Sequence, residues 1–168
     1  MCDSARVVQK NVVNAGGRIR GFYETRGEYN GEILIDGNIL NSDFDDSGDS
    51  YKPNEEGSLY HSGRQGYTFV NVSGNLHGEG NIVISNNKIN CTKCTTRNKH
   101  FIRYVKDEKT NFTVLAKNNM LGKFKWLRGV KDDDTGKFIT WENNRDEKGT
   151  VLKKEDWYVN LLNYEDTE

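Results

Sequence analysis

Apolar and polar residues alternate along most of this chain with a period of two instead of the 3.6 of a helix. Phe124 and Trp126 alternate with Lys123 and Lys125, while Ile139 and Trp141 alternate with Phe138, Thr140 and Glu142. That is the pattern of half-buried strands with two unlike faces. Between these runs, residues 131–136 carry short polar side chains and a glycine, which suit a tight reversal. The spacing predicts a hairpin, extended to a meander by a third run at 150–152.

Upstream, runs at 18–25 and 32–40 flank the polar segment 26–31 and predict a first hairpin. Further strand patterns occupy 67–72, 80–85, 99–106 and 111–117. Seventeen glycines and one proline fit strands joined by tight turns. The expectation is one all-β domain over 1–168, a mainly antiparallel sandwich or barrel of roughly eight to ten short strands. At the end of the chain, Trp157, Leu161 and Tyr164 follow helical spacing and predict a short C-terminal helix over 153–164. Residues 41–57 are acidic and nearly free of aliphatics, and so predict a surface loop. A second architecture, partly parallel and β-helix-like, is suggested by the Gly/Asn punctuation of 32–41 and 74–90. It ranks behind the sandwich because no fixed repeat period continues it.

Composition adds a thin core: 34% of residues are hydrophobic and 29% charged, with three Trp, eight Tyr and seven Phe. Charge changes the picture more. Residues 1–23 carry a net +3, 24–57 a net −8, 58–131 a net +10 and 132–168 a net −6, although the whole chain is −1. A near-neutral chain can therefore present a local cationic surface. Three cysteines and no apolar leader point to a cytoplasmic or intravirion protein with reduced thiols. The opening Met1-Cys2-Asp3-Ser4 leaves a lipoprotein with a replaced signal as a lesser reading. No segment has the length and hydrophobicity of a membrane-spanning helix.

Four chemistries have candidate residues. Cys91 and Cys94, with His100 downstream, have the spacing of zinc ligands but lack a fourth local donor. Asp43, Asp45, Ser47 and Asp49 open like a calcium loop, yet Asn54 stands at its twelfth position, where a bidentate carboxylate is required. From 88 to 131 there are twelve Lys or Arg against two acids. Lys93, Arg97, Lys99, Arg103, Lys123, Lys125 and Arg128 therefore form a candidate polyanion or nucleic-acid surface. The alternation opposes this, because it places the rings on the face away from the lysines. Trp126, Trp141 and Trp157 suggest a glycan platform, against the simpler use of aromatics as core.

No catalytic constellation emerges. His61, His77 and His100 are scattered, and no serine has the setting of a nucleophile elbow. No cofactor is expected, with zinc or calcium as minor possibilities. The leading expectation is a non-enzymatic interaction or structural protein that binds a macromolecular partner, first of all a protein. Polyanion binding and glycan binding follow as alternatives. The asparagine-rich composition also suits a viral or phage accessory protein.

Overall fold

The computed structural model describes residues 4–15, 21–42, 67–91, 99–104, 108–122, 126–129, 137–156 and 158–160. They form twelve strands that wind as five successive coils. Coil one holds β1 (Ser4–Gln9), β2 (Val12–Ala15) and β3 (Gly21–Glu28). Coil two holds β4 (Gly31–Asp36), β5 (Ile39–Ser42) and the first part of β6 (Tyr67–Ser85). The rest of β6 opens coil three, followed by β7 (Lys88–Cys91) and β8 (Lys99–Tyr104). Coil four holds β9 (Thr110–Lys117), Met120 and β10 (Trp126–Gly129), and coil five β11 (Ile139–Glu142), Arg145 and β12 (Tyr158–Asn160).

Each strand pairs with its counterpart one coil away, and every strand pairing is parallel. The first sheet runs β1-β4-β6-β9-β11. The second runs β2-β5-β7 and continues through single bridges at Met120 and Arg145. The third runs β3-β6-β8-β10-β12. β6 serves two sheets because it bends between them. Near that bend, a methyl group added at Gly80 would land on the carbonyl oxygen of Gly31 in the coil above. Only glycine permits so close a backbone approach.

These pairings overturn the antiparallel sandwich or barrel. The expected hairpin at 123–142 is not one: β10 lies in the third sheet and β11 in the first. The expected first hairpin is a corner, since β3 pairs with β6, and β4 with β1 and β6. Alternation reports that a strand has two faces, and it carries no information about the direction of the neighbouring strand. The C-terminal helix is also corrected. Lys154–Asp156 form a single 3-10 turn and Tyr158–Asn160 a strand, with 157 and 161–164 outside the described residues. The acidic loop falls almost wholly on 43–57, also outside them.

The core lies inside the coils and is built in rows, one residue per coil. Ile33, Ile82, Val114 and Ile139 stack in register and are fully buried, each stabilising the fold by about 2 kcal/mol. Phe22, Phe69 and Phe101 stack with centroids 4.7 and 5.6 Å apart, and Trp141 meets Phe101 edge-on at 6.0 Å.

A file of asparagines fixes the corner between the first and second sheets. The backbone N and Nδ2 of Asn11 donate to Oδ1 of Asn38, at 3.1 and 2.9 Å. The same pair of bonds links Asn38 to Asn87, Asn87 to Asn119, and Asn119 to Asn144. Nδ2 of each later asparagine also donates to a carbonyl of the coil before it: Val8, Ile35, Ile84 and Ala116 in turn. An amide suits this position because it holds donors and acceptor together, and strands about 4.8 Å apart bring like residues into bonding range. Before each of these asparagines stands a residue with positive φ: Lys10, Gly37, Asn86, Asn118 and Asn143. Asparagine and glycine tolerate that conformation best, which accounts for the Asn-Asn and Gly-Asn pairs.

Candidate interaction surface

The strand register sorts the outward side chains into rows, and the rows make the surface. On the first sheet, Val7, Leu34, Val83, Leu115 and Thr140 align across five strands, a ribbon roughly 19 Å long. Val7 is 55% exposed, and Leu34, Val83 and Leu115 are half-buried. Polar rows flank the ribbon on both sides. On one side Glu32, Asn81 and Thr113 align, with the Thr113 hydroxyl donating to Asn81 Oδ1 at 2.6 Å. The other row is Gln9, Asp36, Ser85, Lys117 and Glu142.

Asp36 is the best-organised charge on this face. The Ser85 hydroxyl donates to it at 2.6 Å, Asn86 Nδ2 at 2.8 Å and Gln9 Nε2 at 3.4 Å. These bonds, Ser85's first, hold its carboxyl below the usual aspartate range against a smaller opposing effect of burial. On the second sheet, Asn14, Asn41 and Asn90 form an outer amide file with bonds of 2.8 and 2.7 Å.

The third sheet carries the described part of the expected polyanion surface. Arg103 Nη1 donates to Asn71 Oδ1 at 3.0 Å, Asn71 Nδ2 donates to Glu24 at 3.1 Å, and Arg26 pairs with Glu24 at 2.7 Å. Arg128 stands next to Arg103 in register, and Lys99 opens β8. Lys93, Arg97, Lys123 and Lys125 lie outside the described residues. Arg103 therefore belongs to a file that already contains a carboxylate.

The metal candidates separate in a similar way. Cys91 ends β7 on the second sheet and His100 sits in β8 on the third, while Cys94 and the calcium candidates Asp43, Asp45, Ser47 and Asp49 fall outside the described residues. Among the described residues no group of three or more His, Cys, Asp or Glu could hold a metal. Nor, among them, is any helix long and apolar enough to cross a membrane. Of the tryptophans proposed for glycan stacking, Trp141 packs against the core and donates from Nε1 to the Leu152 carbonyl at 2.8 Å. Trp126 lies in β10, and Trp157 lies outside the described residues.

The last coil ends in a groove of about 550 Å³ lined by Lys137, Thr140, Trp141, Asn143, Lys153 and Lys154, among others. Lys154 Nζ donates to the Ile139 carbonyl at 2.7 Å, so this lysine serves the edge of β11. Sequence reasoning missed the asparagine file. Its signal is visible in retrospect: a residue able to take positive φ, then Asn, then any residue, then an aliphatic, as in Gly37-Asn38-Ile39-Leu40, Asn86-Asn87-Lys88-Ile89 and Asn118-Asn119-Met120-Leu121. No family model, no curated protein and no solved structure matches this chain.

Proposed function

We propose that this protein is a non-enzymatic interaction or structural module whose stacked coils offer a rigid surface to a macromolecular partner, and that the partner is a protein. The observation that carries this reading is the apolar ribbon Val7, Leu34, Val83 and Leu115 between two hydrogen-bonded polar rows. An apolar centre with a polar rim is how protein interfaces are built. The coils hold these side chains at fixed spacing, so little conformational entropy is lost when they are covered. A polyanion is less well served, because the described Arg103 is engaged by Asn71 and Glu24 in one file.

Capture from the native source tests the reading, comparing the wild-type chain with Val83→Lys and Leu115→Lys. Both side chains point outward, so the variants are expected to keep their fold by circular dichroism and lose the captured protein. A partner retained by both variants would remove the ribbon as the contact. Binding to a single-stranded oligonucleotide that weakens steeply with salt would favour the polyanion alternative instead.

A further inference from the structure

The edge of the first coil combines four features found together nowhere else among the described residues. β1, β2 and β3 each pair on one side only. Asn11 donates to Asn38, but no described group donates to its own Oδ1, so the amide file ends in an open acceptor. Val7, Val12 and Val13 are 55, 59 and 36% exposed, although Val13 shares a row with the buried Leu40 and Ile89. Finally, residues 4–15 contain Arg6 and Lys10 and no acid, with Asp36 of the next coil the acid that lies near Lys10.

A second copy of the chain is a poor complement. At coil five, Leu152 N already donates to the Asn144 carbonyl, and Val151 bridges Arg145 in antiparallel sense. The first coil of another molecule would find that edge taken. Two first coils placed face to face would set one +3 segment against another.

We propose that the edge formed by β1 and β2 takes an extended, acidic segment of a partner protein as an added strand. This deepens the interaction reading above and rests on it. Main-chain groups of the incoming segment pair with the edge that no described strand occupies, as in other cases of strand addition. Its apolar side chains cover Val13 and the open top of the core, while its carboxylates lie against Lys10. Arg6, whose guanidinium sits 4.1 Å from the centre of the Tyr29 ring, keeps its own place beneath.

The test uses the full chain, isotopically labelled, and two short capped peptides: one alternating glutamate with valine, the other lysine with valine. The glutamate peptide is expected to shift the backbone amide signals of residues 5–14 and slow their exchange, and the lysine peptide to do neither. Lys10→Glu, an exposed substitution, should weaken the glutamate peptide about fivefold, the scale of one exposed charge pair. Equal binding of both peptides, or unmoved signals at 5–14, would overturn the proposal. So would an oligonucleotide that produces the same shifts, since strand pairing would then not be what is recognised. If native capture through Val83 and Leu115 persists while the glutamate peptide has no effect, this site falls and the interaction reading stands.

Discussion

The two ends of the described coil stack meet the same problem, a terminal coil with no described neighbour beyond it, in different ways. At the far end the chain reverses at Asp146, whose carboxylate accepts from Lys148 N at 2.8 Å and Thr150 N at 2.9 Å. It then returns so that Leu152 N reaches the Asn144 carbonyl and Lys154 Nζ the Ile139 carbonyl. Trp141 and the buried Leu152 close that side of the core. At the near end no described segment lies over β1 and β2, and three of the four exposed large hydrophobics among the described residues sit there. Because each coil of a solenoid contacts only its neighbours, stability should be set locally, and an uncovered end should contribute least. The comparison thus separates an end strapped by the chain's own residues from an end over which no described residue lies.

The largest effect should come from cutting the asparagine file at its middle and at its open end. Asn87→Ala strands the N–H and amide donors of Asn38 and the carbonyl of Ile35, all inside the molecule, and should cost about 3–5 kcal/mol in urea unfolding. Asn11→Ala removes one amide donor to Asn38 Oδ1, which still accepts from the backbone N–H at position 11, and should cost ~1 kcal/mol or less. Equal losses would erase the distinction between the interior of the stack and its open end.

Next in size is the contrast between caps. Leu152→Ala opens a cavity under the strap and should cost about 2–3 kcal/mol, whereas Val13→Ala, already part-exposed, should cost ~0.5–1 kcal/mol. Lys154→Ala exposes the Ile139 carbonyl and should lose ~1 kcal/mol or less, visible as a small drop in Tm with the unfolding slope unchanged.

The smallest effect concerns Asp36 near the open end. Its folded pKa is lowered chiefly by the Ser85 hydroxyl, so its contribution is complete above the ordinary aspartate value near 3.9 and disappears as pH falls through the lower folded value. Asp36→Asn should flatten the acid limb of a stability profile by lowering the neutral plateau slightly while leaving stability below the folded pKa nearly unmoved. An unchanged acid limb would assign that slope to other carboxylates.

Most strands from β3 to β11 were legible in the sequence, whereas β1, β2, β7 and β12 and the direction of every strand were not. Runs such as Asn111-Phe-Thr-Val-Leu-Ala-Lys117 alternate inward and outward residues in the same way whether a neighbour is parallel or antiparallel. The repeat was hidden by its spacing. Successive file asparagines lie 27, 49, 32 and 25 residues apart, because the connections outside the shared corner differ in length from coil to coil. A search for one fixed period passes over such a repeat, whereas a search for a corner motif of two residues finds it. At 153–164 the described residues are a 3-10 turn and the strand β12, while Trp157, Leu161 and Tyr164, which carried the helical spacing, lie outside the described residues. For the candidate site, neither the ribbon residues nor their grouping was legible. Nothing local in the sequence aligns Val7 with Leu34, Val83 and Leu115, since parallel register across coils brings them together.

Hydrogen exchange of the asparagine side-chain amides, resolved by NMR, tests the central claim most directly. The account predicts that the Nδ2 protons of Asn38, Asn87, Asn119 and Asn144 exchange as slowly as the backbone amides of the core, and those of Asn11 much faster. Rapid exchange at all five would contradict a continuous buried file and, with it, the stack of parallel coils that the file joins.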